Sequence, residues 1–427
     1  MKAGFRRYGT RRASSARRAC GRVATVGSVI GVLALLSVGP APGASADDVE
    51  SKQWYLEAMS AGALWEASTG EGIKVAVVDS GVSMTPSLKG RVLPGKDATG
   101  RRGGSLDDYD SHGTSMAELI VGSGRNGGLK GLAPGAEVIS FRTTLGGKRE
   151  SDSAEAIRAA ADSDARIINM SFGSDFMYPE EKAAVKYAAS KGKLMFASVG
   201  NEAEKKDSID YPAAYPGVTG VSAADESGKV AKFSEFGVYV DLAAPGLDIP
   251  HWCDATFRSY CEEGGGGTSS ATAIASASAA LVWSKHPDWT ANQVLRVLID
   301  TAGRDWPKDE PSDYLGYGLI RPARHVVKGE GKPGPADIDP ITNKKTVSAG
   351  NSGDDGASPS ASAPAASSAS PHKGAPDDDQ DEKAAVAKST DADGGSSSQM
   401  WLIGGGLAAV ALLGGGAYAA VRARRGA

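Results

Sequence analysis

The chain has 427 residues, a formal net charge of −4, 41% hydrophobic residues and 23% charged ones. That length suits two domains, or one large α/β domain with appendages. The slight acidity and the lack of a Lys/Arg stripe exclude nucleic-acid binding as a function class.

Residues 1–46 read as an export signal. Arg6, Arg7, Arg11, Arg12, Arg17, Arg18 and Arg22 crowd the start, the apolar run VATVGSVIGVLALLSVG follows, and Ala44-Ser45-Ala46 supplies a small-residue cleavage site. Cleavage removes Cys20 and leaves Cys253 and Cys261. An even pair in an oxidising compartment is expected to form a disulfide, structural rather than redox in role.

A short extension, 47–53, leads into a globular stretch expected over 54–327. Here apolar, β-rich runs (IKVAVVDSG, AEVISFRT, ARIINMSFG, KLMFASVGN) alternate with Ala-rich helical patterns (SAEAIRAAADS, EEKAAVKYAASKG). Alternation of this kind predicts an α/β fold, a parallel sheet with helices on both faces. Strands that are apolar almost throughout suit burial on both faces.

Three signals are decoys. GSGRNG at 122–127 fits a dinucleotide fingerprint but follows a helical pattern instead of a strand. DSG at 79–81 resembles an aspartic-protease triplet, yet no second copy exists. DDYD at 107–110 offers a cation-binding run, for which a solvated acidic loop is the expected outcome. No Cys/His spacing fits zinc, and no metal or cofactor is implied.

Of five histidines only His112 sits in a Gly-flanked turn that opens a helix, DSHGTSMAELIVG. Asp79 closes the buried strand pattern IKVAVVD, where a carboxylate needs a partner. An Asp so placed fixes the tautomer of a His ring, and the His then takes a proton from a hydroxyl. Two serines compete for that proton transfer, Ser115 in HGTSMA and Ser269 in GTSSATA. Ser115 lies three residues after His112 on the same helix, which leaves no separate wall for substrate between them. Ser269 opens a long helix of small residues after a Gly-rich run, and its helix N-terminus favours an oxyanion. Ser269 is therefore the expected nucleophile and Ser115 a packing residue. Asn201, after the β-rich run FASVG, is the expected side-chain donor to the oxyanion.

From 328 to 399 the composition collapses to Gly, Pro, Ala, Ser, Asp and Lys, as expected of a disordered linker. Residues 400–421 are expected to form one transmembrane helix, long enough for a hydrocarbon core of about 30 Å. Arg422, Arg424 and Arg425 in the tail 422–427 predict a cytoplasmic C-terminus and an extracytoplasmic catalytic domain.

Asp79 in VAVVDSG, His112 in HGT, Asn201 in GN and Ser269 in GTSSA stand in the Asp…His…Ser order of subtilisin-like serine proteases, which the stretch 54–327 resembles. The resemblance implies an endopeptidase of subtilisin-like three-layer fold around a mostly parallel seven-stranded sheet. It also implies that Ser171, Phe172 and Gly173, with Ala197, Ser198 and Val199, line the cleft and pair with an extended peptide. Within that family QWYLEAMSAGALWEASTGEGIKVAVVDSGV and YLGYGLIRPARHV resemble the mycosins, membrane-anchored proteases of type VII secretion systems. That likeness implies a protein or peptide substrate, a type VII secretion membrane complex as partner, and an alternative role stabilising that complex with proteolysis secondary. It also implies that the extension 47–53 wraps the domain without blocking the site. The chain departs from the family at Ser270 and Ala273, where a bulky residue and a proline are usual, and at Tyr109, where many mycosins have cysteine.

Overall fold

A computed structural model describes residues 49–145, 153–205, 208–262 and 265–346. The expected export signal, most of the expected linker, the expected transmembrane helix and the basic tail lie outside the described residues. Among the described residues no helix is long and apolar enough to cross a membrane.

The chain enters through two short helices, α1 (Trp54–Ala58) and α2 (Ala61–Ala67). Seven strands then build one sheet: β1 (Lys74–Asp79), β2 (Val92–Asp97), β3 (Glu137–Arg142), β4 (Ile167–Met170), β5 (Leu194–Ser198), β6 (Thr219–Ala224) and β7 (Leu242–Pro245). Their order is β2-β3-β1-β4-β5-β6-β7 and every neighbouring pair is parallel. Because side chains alternate across a strand, Val75 and Val77 pack into one core and Ala76 and Val78 into the other. Both faces are thus buried, which is why these strands read as continuous apolar runs.

Helices α4 (Ser153–Asp162) and α5 (Pro179–Ser190) cover one face. The opposite face carries α3 (His112–Val121) and α6 (Thr268–Lys285), backed by α7 (Ala291–Thr301) and α8 (Pro322–Val326). Helix α6 is apolar or small all round and buried from Ser270 to Trp283, as a helix threaded through a core must be. Its alanines and serines let it lie close on β4 to β7. Its hydroxyls are satisfied locally, Thr272 Oγ1 donating to Thr268 O and Ser278 Oγ to Ile274 O, each at 2.8 Å.

A two-stranded hairpin, β8 (His251–Trp252) with β9 (Tyr260–Cys261), is closed by a Cys253–Cys261 disulfide, as expected from the cysteine count. At the amino end, the Gln53 carboxamide accepts the Lys130 N–H and donates to Lys130 O, each at 2.8 Å, and so fastens the extension to the domain. At the other end the folded chain continues past Val327. Asn292 and Arg296 of α7 hold the carbonyls of Ala336 and Ile338 at 3.0 and 2.8 Å.

Strand β1 has β3 on one side and β4 on the other. The connections change direction there, and in open parallel sheets the crevice beyond the carboxyl ends of such strands is the usual ligand site. Asp79 is the last residue of β1.

Candidate active site

Asp79 is 4% exposed. Its Oδ1 accepts the Ser80 N–H at 2.7 Å and meets His112 Nδ1 at 2.8 Å. An ionised carboxylate only accepts, so the bond places the ring proton on Nδ1 and leaves Nε2 as the basic nitrogen. Asp79 Oδ2 is buried without a hydrogen-bond partner among the described residues, so the charge stays concentrated beside the ring. Burial by itself lowers the His112 pKa, but the charge and hydrogen bond of Asp79, helped by Asp110 and Asp108, raise it to about 9. The ring is 36% exposed along its open side, so water in the cleft screens part of that effect.

The junction that aims His112 is rigid. Gly113 follows it, and a Cβ there would fall 2.2 Å from Gly81 O and 3.0 Å from Asp79 Cβ, so only glycine lets α3 lie this close to β1. Ser111 precedes it in the left-handed region at φ 81°, a costly conformation for a side-chain-bearing residue. Asp108 holds that turn: its carboxylate accepts the N–H groups of Asp110, Ser111 and Thr114 at 2.9–3.0 Å. It also takes the hydroxyls of Ser80 at 2.9 Å and Thr114 at 2.6 Å. The expectation of a solvated acidic loop at 107–110 holds for Asp107, Tyr109 and Asp110, which are exposed, but not for Asp108, which is 4% exposed and accepts the Thr114 N–H in the first turn of α3. A carboxylate four residues ahead of a helix-opening His was the sequence signal for it.

Ser115 is 1% exposed and doubly bonded, donating to Ser111 O at 2.9 Å and accepting the Trp252 N–H at 3.0 Å. It fastens the hairpin to α3. Glu118, three residues on, is also fully buried. Burial pushes its carboxyl up to about 7 against hydrogen bonds from Thr85 and from Tyr260, whose hydroxyl donates at 2.7 Å. Tyr260 and Trp252 stack at 3.9 Å between ring centroids, so the disulfide-closed hairpin grips α3 along its length.

Ser269 lies in the first turn of α6, where N–H groups lack intrahelical acceptors. Its Oγ donates to Ser171 O and Ser171 Oγ donates to Ser269 O, each at 2.9 Å. In this conformation the hydroxyl is turned toward Ser171, and no hydrogen bond among the described residues joins it to His112. Asn169 Nδ2 donates to Ser171 Oγ at 2.9 Å and Asn169 Oδ1 accepts from Ser276 Oγ at 3.0 Å, which ties the end of β4 to α6. Asn201 is exposed, and its Oδ1 accepts the Thr268 N–H and hydroxyl at 2.9 and 3.0 Å. Both acceptor sites being occupied, its Nδ2 is left without a partner among the described residues.

The other expected cleft residues divide. Phe172 is half-buried and Gly173 exposed beyond β4, while Ala197, Ser198 and Val199 are buried and Val199 donates its N–H to Val221 O. Gly200 and Asn201 are where that strand leaves the sheet. A cavity of about 750 Å³ lies at the opposite, amino-terminal edge of β5 and β6, around Trp283, Trp289 and Asp241, away from these residues. No group of three or more His, Cys, Asp and Glu able to hold a metal ion occurs among the described residues.

Residues 70–318 match the Subtilase family of peptidases. Over 260 residues the chain is 32% identical to Subtilisin Savinase of Lederbergia lenta, covering 59% of this chain and 92% of that one. Among solved structures it resembles the MycP3 protease from the type VII (ESX-3) secretion system, at 30% identity and a TM-score of 0.55, covering 64% of this chain and 87% of that one. It likewise resembles a chain in the periplasmic assembly of the ESX-5 inner membrane complex, at 27% identity and a TM-score of 0.56, covering 66% and 86%.

Proposed function

The chain belongs to the subtilase family and is a subtilisin-like serine protease related to the mycosins, and from that premise we propose that Asp79, His112 and Ser269 form its catalytic triad, with Asn201 as oxyanion donor. The 2.8 Å bond between Asp79 and His112 carries the reading, because it joins two residues 33 apart and leaves one nitrogen of the ring free to act as a base. Ser269 turns from Ser171 O toward His112 Nε2, which takes its proton as Oγ attacks the peptide carbonyl carbon. Asp79 steadies the imidazolium. The oxyanion is met by Asn201 Nδ2 and by the amino end of α6. Collapse expels the amine, which takes the proton back from His112, and water then hydrolyses the acyl-enzyme by the same route in reverse.

Fluorophosphonate labelling of the purified full chain tests this. Ser269→Ala is expected to abolish labelling and Ser115→Ala to retain it; the opposite pattern overturns the assignment.

The likeness to a component of the ESX-5 assembly supports a wider setting: an exported, membrane-anchored enzyme acting in a type VII secretion complex, with residues 400–421 as its anchor. It equally favours a structural contribution to that complex. Secretion should then survive Ser269→Ala and fail on deletion of the whole protein, whereas normal secretion in both strains removes the structural role.

A further inference from the structure

Two histidines that the proposed mechanism does not use meet at the far end of the helix that carries the proposed nucleophile. His286 caps the carboxyl end of α6, and His325 lies 39 residues on, in α8. Their Nε2 atoms stand 2.9 Å apart. His325 Nδ1 lies 2.7 Å from Glu330 O. A carbonyl only accepts, so the His325 proton sits on Nδ1 and its Nε2 carries the lone pair. The proton between the rings therefore belongs to His286, whose Nε2–H donates to His325. The His286 ring also stacks on Trp289, at 3.8 Å between centroids and 7° between planes.

This bond tolerates one added proton and not two. The first goes to His286 Nδ1, which leaves the Nε2–H donor in place and sets a cation over the indole face of Trp289. The second must enter at His325 Nε2, the acceptor itself. All four ring nitrogens are then donors and the bond is lost. Two cations face each other there, one of them on a residue only 6% exposed. Lys285 adds a further positive charge at the same junction, donating to Val326 O at 2.5 Å. The other ionisable groups on the elements packed around α8 are mostly engaged. Arg324 pairs with Glu330 at 2.5 Å, Asp300 of α7 pairs with Lys308, and Arg296 donates to Ile338 O at 2.8 Å. Glu66 of α2 lines a small cavity with Lys285, and Asp288 is exposed in the turn before α7. Burial, then the charges of His325 and Lys285, hold the His286 pKa below its ordinary value.

We propose that the His286–His325 pair is an acid-sensitive latch. It fastens α8 and the turn that follows, residues 322–332, to the end of α6 while the two rings carry at most one charge, and it releases them when both are protonated. The turn is closed within itself, Gly329 N–H donating to His325 O at 2.8 Å and Glu330 N–H to Arg324 O at 3.0 Å, so it loosens as a unit. An open segment takes up two protons below about pH 6.5, the ordinary histidine value, whereas the closed pair takes up one. Opening therefore gains about tenfold for each pH unit below that value.

Hydrogen exchange on the full chain, read by mass spectrometry at about pH 7.5, 6 and 5, tests the latch across the ordinary histidine value. Peptides covering 322–332 are compared with peptides of β1 as the internal reference, after correction for intrinsic exchange rates. In wild type, protection of 322–332 should fall about tenfold from pH 6 to pH 5 while β1 holds. The carboxamide in His286→Gln both donates and accepts, so it serves either state of His325. Protection in that variant should change by less than about threefold over the same interval. Wild-type protection that holds from pH 6 to pH 5 overturns the latch without any variant, and so does an acid loss in His286→Gln equal to that of wild type. A fall shared equally by β1 is global unfolding and overturns it as well.

Discussion

Replacing Asn201 separates a task its carboxamide performs from one proposed for it. Oδ1 accepts the N–H and hydroxyl of Thr268 and so caps the first turn of α6, while the proposed mechanism gives Nδ2 to the oxyanion. Asn201→Ala removes both. Loss of the cap costs about 1 kcal/mol, a fall in Tm of about 2–4 °C for a domain of this size. Loss of the donor costs about 2.7–4 kcal/mol in the transition state, a 100- to 1000-fold fall in kcat. Asn201→Asp keeps the acceptor and places negative charge at the positive end of α6, which is worth about 0.3–1 kcal/mol. It has no N–H to give and repels the developing oxyanion. The stability order is therefore Asp, then Asn, then Ala, while the activity order is Asn far above Ala, with Asp lowest. The assay is kcat and KM on a chromogenic peptide, alongside thermal unfolding of each variant. An Asn201→Asp enzyme with more than a tenth of wild-type kcat refutes the oxyanion role, as does a loss in Asn201→Ala confined to KM.

Because His112 must be neutral to act and its pKa is raised to about 9, kcat/KM should climb with pH and level off only above that value. Its raised pKa also means that the Asp79–His112 pair stabilises the fold fully below about 6.5 and loses that contribution as pH rises through about 9. Asp79→Asn should move the kinetic limb downward by more than one unit while cutting kcat about 10⁴-fold; an unmoved limb contradicts the attribution. Glu118, raised from 4.5 to about 7 by burial, contributes stability that is full below about 4.5 and is lost as pH rises through about 7. Glu118→Gln should therefore gain on wild type by up to about 3 kcal/mol as pH rises from about 4.5 to about 7 in urea unfolding, and a pH-independent difference counts against it. Gly113→Ala drives a methyl group into Gly81 O and should cost at least 100-fold in kcat with lower stability, whereas Gly62→Ala, with nothing within 4 Å of its new carbon, should gain about 0.5–1 kcal/mol. Cys253→Ser with Cys261→Ser opens the β8–β9 hairpin that packs on α3 and should lower unfolding free energy by about 2–3 kcal/mol.

The two faces of the sheet were legible in the sequence because alternating strand residues each met a helix layer, so VAVVD and IINM carry no polar face to disguise them. Asp79, His112, Asn201 and Ser269 stood out for a related reason. Asp79 ends a strand, His112 and Ser269 lie in the first turns of helices and Asn201 follows β5 by three residues, places where a polar residue breaks an apolar pattern and needs a local purpose. The choice of Ser269 over Ser115 also followed from helix geometry, and the buried, doubly bonded Ser115 hydroxyl agrees with it.

What escaped the sequence shares one property: it depends on which distant segments meet. Asp108 reads as part of an acidic surface loop, yet four donors of residues 110–114 and the hydroxyl of Ser80, brought in from the end of β1, surround its carboxylate. Glu118 sits on a buried helix face that local pattern alone gives no reason to be polar, and its partners come from Thr85 and from Tyr260 on the hairpin. Asp210 lies in an unremarked polar stretch, and only the convergence of β4 and β5 puts Gly173 and Gly200 on either side of it. Local chemistry and periodicity thus determined the sheet, the helices and the candidate reactive groups, since those are properties of neighbours along the chain. Charge environment and pocket lining were decided by tertiary structure, because burial and close approach belong to residues that the backbone brings together from far apart.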